Sequence, residues 1–228
     1  MAAAEDSGIG GAGVSEGLQS AGVRINALLT EAGLAPVDGV LAERFENYLS
    51  LLLRWNARMN LTAIRDEEGI LRRHFVESIA CARALPAGIA TLLDFGSGAG
   101  FPGIPIALCR PEISVTLAES QGKKAAFLQE AVRVLGLATK VYAGRAELLK
   151  ARFDCVVLRA VDRMPQAVRA ASKLASPEGR VLVMATKGEL EQFDGLCGQE
   201  FSRFEAYPLA GSATGVLAIA HRRINLPA

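Results

Sequence analysis

The residues best suited to chemistry lie in Leu92-Leu93-Asp94-Phe95-Gly96-Ser97-Gly98-Ala99-Gly100-Phe101-Pro102-Gly103. Two apolar residues end in an acid, glycine recurs at every second position, and Pro-Gly follows. Glycine has no Cβ, so backbone N–H groups in such a run can approach a ligand closely. An apolar strand that stops at this turn and enters a helix is a cradle for a small molecule. Downstream, other apolar runs close on polar groups in the same way. Glu119-Ser120 offers an acid able to accept two neighbouring hydroxyls, Gly144-Arg145-Ala146-Glu147 forms a polar cluster, and Arg159 and Lys187-Gly188 end two further runs.

Two ligands compete for the glycine turn. Gly98-Ala99-Gly100-Phe101-Pro102-Gly103 fits G-x-G-x-x-G, the dinucleotide fingerprint, and Glu119 follows at the spacing that fingerprint asks. Read from Asp94 and Gly96, the run also resembles the first motif of S-adenosylmethionine-dependent methyltransferases. A dinucleotide would set an anionic pyrophosphate at the helix start, facing the Asp94 carboxylate. Like charges about 6 Å apart at an effective dielectric near 20 repel by roughly 3 kcal/mol. S-adenosylmethionine carries a sulfonium and an ammonium instead, which suits Asp94. Pro105 is tolerated only in a first helical turn, so the helix that follows is short.

The elements that must hold these groups follow from periodicity. Residues 1–17 are rich in Gly, Ala and Ser without periodicity and read as disordered. Residues 18–88 read as a helical segment packed on the core: Leu18 to Ala32 with Gly33 as its stop, a second helix capped by Asp38, and a third from Glu67 to Leu85. From residue 89 to 228 short apolar runs alternate with helices. Strands are expected at Thr91–Phe95, Ser114–Ala118, Lys140–Ala143, Cys155–Leu158 and Arg180–Ala185, with a helix at Gly122–Leu135. The fold class is α/β, a Rossmann-like, mostly parallel sheet covered on both faces. Glu205–Pro208 and Gly215–Ala220 read as a terminal antiparallel hairpin.

Composition narrows the class. The chain has 228 residues, 50% of them hydrophobic and 21% charged, ordinary for a globular protein. The net charge of +1 announces no global basic field, so any nucleic-acid surface is a local patch. Cys81, Cys109, Cys155 and Cys197 lie far apart without a Cys-x-x-Cys pair, which argues against zinc and against a disulfide framework. The first three of these lie in apolar-patterned segments and are expected to be buried. The acidic start has no apolar core segment of a secretory signal, and no run is long enough to span a membrane. The expectation is a cytoplasmic chain.

Arg54-Trp55-Asn56-Ala57-Arg58-Met59-Asn60-Leu61-Thr62-Ala63-Ile64, then Arg73-His74-Phe75-Val76-Glu77-Ser78, then the glycine run, is similar to the bacterial small-subunit ribosomal RNA guanine-N7 methyltransferases, the RsmG or GidB family. The resemblance runs from about residue 38 to about 188, and its W-N-x-x-x-N-L-T block is more specific than any glycine motif. It implies S-adenosylmethionine as cofactor and N7 of a guanine in 16S ribosomal RNA, free or in the small ribosomal subunit, as acceptor, with no membrane and no obligate protein partner evident. Gly96 and Phe101 then match the cofactor loop, Glu119 the ribose acid, Ala146-Glu147 the adenine contacts, and Arg159 the arginine after the fourth strand. Asp94, Gly98, Gly100 and Ser120 complete the expected cofactor site. Phe95, Glu77 and Leu158 depart from the commoner Val, Asp and Ser, which leaves the role of Glu77 open.

Guanine N7 has a free lone pair in the ring plane and can attack the methyl group without first losing a proton. The chemistry therefore asks for alignment and field rather than a base. The Asn/Asp-Pro-Pro-aromatic tetrad of amine methylation is absent after Leu158, and Cys155 falls inside a strand rather than where a nucleophile would stand. Arg159 and His74 are the candidate catalytic residues; His74 could equally pack or cap. Arg72, Arg73, Lys123, Lys124, Arg145 and Lys187 are the candidate RNA contacts, and no metal site is expected. The simpler alternatives are explicit: Asp94 and Glu119 as helix caps, Arg159 paired with Asp162 or another acid, Glu147 and the arginines as a solvated face. Two other functions remain open on sequence: an NAD-dependent oxidoreductase and a non-catalytic RNA-binding relative.

Overall fold

The computed structural model describes residues 20–193 and 195–223. Helix α1 (Ala21–Glu31) starts at Ser20, whose hydroxyl accepts the Val23 N–H, and stops at Gly33 with φ +73°. Helix α2 (Gly39–Met59) is capped by Asp38, which accepts the Leu41 N–H at 2.8 Å, and ends at Asn60 in the left-handed region. A third helical stretch begins at Asp66 and runs as α3 (Glu67–Ile70), a π-wound turn (Leu71–Val76) and α4 (Glu77–Ala84).

The remaining elements alternate. They are β1 (Thr91–Phe95), α5 (Gly103–Cys109), β2 (Ser114–Glu119), α6 (Gly122–Val134), β3 (Lys140–Ala143), β4 (Phe153–Arg159), α7 (Met164–Leu174), β5 (Ala175–Thr186), α8 (Lys187–Leu190), β6 (Glu205–Pro208) and β7 (Gly215–His221). A short 3-10 turn at Ala146–Leu148 joins β3 to β4. The sheet order is β3-β2-β1-β4-β5-β7-β6. Strands β1 to β5 are mutually parallel, and β7 inserts antiparallel between β5 and β6. Strand order reverses at the β1–β4 pair, the crevice where open α/β sheets hold ligands at their carboxyl ends.

The alternation of strand side chains divides the interior into two cores. Leu92, Leu117, Val157 and Leu182 face the side covered by α1, α2, α4, α5 and α6. Leu93, Val156, Val181 and Val183 face the side covered by α7. The N-terminal helices thus share a core with the sheet rather than closing on themselves. Trp55 on α2 meets Phe127 on α6 edge-on at 5.6 Å and docks the two layers.

The α/β class, the strands and the closing hairpin agree with expectation. The third helix differs: an extra residue winds Leu71–Val76 into π geometry where the apolar spacing alone predicts an unbroken α-helix. Strand β5 starts at Ala175, ahead of the predicted Arg180, because Phe153 pairs with Ala175 across a register shift. Cys81 and Cys155 are buried, while Cys109 is only half-buried near the end of short α5. The readings for residues 1–17 and for a helix start at Leu18 lie outside the described residues.

Candidate active site

The glycine turn is built against its neighbours. Gly96, Gly98 and Gly100 all have positive φ, and a Cβ on Gly100 would stand 2.5 Å from Ile104 Cδ1 and 2.7 Å from the Tyr48 hydroxyl. That hydroxyl donates to the Ala99 carbonyl at 2.5 Å, tying the turn to α2. The Gly96 and Ser97 N–H groups both donate to the Ala118 carbonyl at 3.0 Å. Gly103 leaves no room either: a Cβ there would lie 2.3 Å from Leu117 Cδ2 and 2.5 Å from Asp94 Oδ2.

The two acids have unequal places. Asp94 is 1% exposed beneath the turn and accepts the Gly103 N–H at 3.1 Å. Burial pushes its carboxyl up to about 7, against the pull of its hydrogen bonds to Ser97 and Gly103. Glu119 is also buried, but it lines the cavity. One of its oxygens accepts the Gly98 N–H at 2.9 Å and the other the Gln121 N–H at 2.7 Å. The helix-cap alternatives therefore hold in part for both acids.

This wiring leaves the start of α5 no seat for a pyrophosphate. Pro102 and Pro105 have no N–H, Gly103 donates to Asp94, and Ile104 donates to the Gly100 carbonyl at 2.8 Å. The Gly98 N–H is held by Glu119. The start of α5 thus offers no donor to a phosphate, and two carboxylates occupy the amides that a dinucleotide would need.

Above the turn opens a cavity of ≈ 1070 Å³. Of the expected cofactor residues, Gly96, Gly98, Phe101, Glu119, Ser120, Ala146, Glu147 and Arg159 line it. Asp94 and Gly100 do not; they support the turn from below. Of the expected RNA contacts, Arg73, Lys124 and Arg145 lie on the wall, whereas Lys123 and Lys187 are exposed away from it. Arg72 points to α1, bonded to Glu31 at 3.0 Å and to Glu68 at 2.9 Å.

The far wall comes from residues the sequence reading did not select, the loop Leu61–Ile64 and the turn 160–163 after β4. Ala160 and Arg163 both hold left-handed backbone there, at φ +48° and +53°. The Trp55–Thr62 block explains the loop. Asn56 accepts the Thr62 N–H at 3.0 Å, Asn60 turns the chain, and the Thr62 hydroxyl meets His74 Nε2 at 2.7 Å. His74 stacks on Phe101 at 4.8 Å with an 18° tilt. Burial, with Arg159 and Arg73 nearby, lowers its pKa to about 3, so the ring is neutral at physiological pH. Arg159 pairs with Glu77 at 2.7 Å, not with Asp162, and also donates to the Arg73 carbonyl.

The profile of the family described as "GidB: rRNA small subunit methyltransferase G" matches residues 41–205. The chain belongs to this family. It is 44% identical over 153 residues to a Ribosomal RNA small subunit methyltransferase G from Roseiflexus sp. (strain RS-1), covering 64% of this chain and 64% of that protein. It is 45% identical over 159 residues to one from Stenotrophomonas maltophilia (strain K279a), covering 68% of this chain and 74% of that protein. Among solved structures, a Klebsiella pneumoniae protein named for an O-methyltransferase superposes with TM-score 0.56 at 17% identity, over 88% of this chain and 96% of that one. The O-methyltransferase NcsB1 from neocarzinostatin biosynthesis, solved with S-adenosylmethionine, superposes with TM-score 0.54 at 20% identity, over 64% of this chain and 52% of that one. These show the S-adenosylmethionine-dependent methyltransferase fold. No described helix is long and apolar enough to cross a membrane.

Proposed function

We propose that this member of the rRNA small subunit methyltransferase G family methylates N7 of a guanine in 16S ribosomal RNA, as a cytoplasmic enzyme. The observation that carries the reading is the glycine turn with its amides held by Asp94 and Glu119, which suits a cationic nucleoside and turns away a pyrophosphate. The residues fit S-adenosylmethionine: a turn that only glycine can form, a buried carboxylate at its edge, and a cavity with room for a cofactor and a base. When bound, that cofactor supplies an electrophilic methyl group.

Each side chain then has a task. Glu119 keeps lone pairs beyond its two backbone bonds and can accept ribose hydroxyls. Ala146 and Glu147, which the resemblance assigns to adenine, line the same cavity and would read its edge. Asp94, buried at the edge of the turn, would favour a cationic cofactor in its ionised form. Phe101, packed against Tyr48, Phe75 and His74, gives the cavity an apolar wall. His74 and Arg159 orient and shape; neither has to move a proton, because N7 brings its own lone pair. Calorimetry with S-adenosylmethionine, its demethylated product and NAD tests the cofactor, and binding of NAD alone would overturn it. Transfer of a labelled methyl group to undermethylated 16S RNA, mapped to one guanine by mass, tests the acceptor. Cofactor binding without transfer would favour a non-catalytic RNA-binding protein.

A further inference from the structure

Arg73, Glu77 and Arg159 form a line of charge beside the cavity. Glu77, on the first turn of α4, is 5% exposed. One of its oxygens lies 2.7 Å from Arg159 Nη2 and the other 3.6 Å from Arg73 Nε. Both guanidinium groups line the cavity, so one carboxylate faces two cations and leaves one positive charge over.

The two arginines are not equivalent. The Arg159 side chain is 11% exposed and gives its donors to Glu77, to the Ser78 hydroxyl at 3.4 Å and to the Arg73 carbonyl. The π turn makes that last bond available. The Glu77 N–H donates to the Arg72 carbonyl, whereas an α-helix would send it to Arg73 and occupy the carbonyl that Arg159 uses. The Arg73 side chain is 66% exposed, and among the described residues Glu77 is its ion-pair partner, facing Nε at 3.6 Å, beyond hydrogen-bond distance. A guanidinium that turns Nε toward a carboxylate leaves its two terminal nitrogens as a planar fork, which matches a phosphate.

We propose that Glu77 is a positioning residue, which aims the Arg73 fork across the cavity mouth to take a backbone phosphate of the nucleotide being methylated. The inference rests on the function proposed above and adds the role of this acid. Arg159 keeps the π turn in register, and Glu77 transmits that register to Arg73.

The test uses the full chain, undermethylated 16S RNA, and the variants Arg73→Gln, Arg73→Lys, Glu77→Asp and Arg73→Gln/Glu77→Asp. Arg73→Gln, an exposed change, is expected to raise KM for RNA about tenfold, to affect kcat less, and to leave the affinity for S-adenosylmethionine unchanged. The slope of log KM against log salt should fall by about one, as one phosphate contact is lost. Arg73→Lys keeps the charge without the fork, so it should keep the salt slope with an intermediate KM. Glu77→Asp, one methylene shorter, should reproduce part of the rise in KM and add nothing in the Arg73→Gln background. An unchanged KM in Arg73→Gln, a loss of cofactor affinity in its place, or full additivity of the two changes overturns the proposal. If the unaltered chain transfers no methyl group, the function proposed above fails and this inference with it. If it transfers and the variants match it, this inference alone fails.

Discussion

Asp94 shows how one residue can carry a pH signature. Its carboxyl is pushed up to about 7 in the folded chain by burial, from the ordinary 3.8. The folded state therefore binds the proton more tightly than the unfolded state. Its contribution to stability is fully present below about pH 4 and is lost as pH rises toward 7. A shift of about three units corresponds to about 4 kcal/mol. Asp94→Asn should remove that part of the pH dependence, as read from urea melts of both proteins at pH 4.5 and 7.5. A cationic ligand favours the ionised acid, so affinity for S-adenosylmethionine should rise with pH through about 7 in the unaltered chain and stay flat in Asp94→Asn. Calorimetry across that range checks it.

At the scale of elements, the glycine turn depends on a helix distant in sequence. Tyr48 on α2 donates to the Ala99 carbonyl inside the turn, and both groups are buried. Tyr48→Phe strands that carbonyl, at a cost of about 1–3 kcal/mol. It should lower the thermal midpoint and weaken cofactor binding together. Gly100→Ala should do worse, since φ is +91° and the new methyl would meet Ile104 and Tyr48. Overpacking alone costs about 1–3 kcal/mol, and backbone strain adds to it; binding below the detection of calorimetry is the expected result. Both effects belong to the joint between α2 and the sheet.

At the scale of the whole molecule, the N-terminal helices and the sheet meet at the Arg159–Glu77 pair, with side chains 11% and 7% exposed. Burial lowers the Arg159 pKa, and the Glu77 charge opposes that loss. Removing one partner of such a pair leaves a buried charge uncompensated, costing about 3–5 kcal/mol, while removing both costs less. Glu77→Gln and Arg159→Met should each destabilise by that order, and the double variant should recover much of the loss. Denaturant titration of the four proteins checks the cycle.

The strand and helix periods, the caps at Asp38 and Gly33, and the short helix after Pro102 were all readable in the chain, because each depends on neighbours within a few residues. The strand-end groups Glu119 and Arg159, and the Ala146-Glu147 turn that follows β3, were readable for the same reason: a parallel sheet brings the carboxyl ends of its strands to one edge. The π turn was not readable, since one added residue leaves the apolar spacing helical. Nor was the fate of each basic residue. Arg72 and Arg73 are adjacent in sequence, yet one pairs with Glu31 on α1 and the other faces the cavity. The sequence by itself determined the α/β alternation, the glycine turn and the residue types around it. Only the tertiary structure decided that Asp94 lies under the turn and Glu119 beside it, that Thr62 holds His74, and that Glu77 serves two arginines. Those outcomes depend on contacts between residues far apart in the chain, where burial and the geometry of a shared core, not local propensity, select the partner.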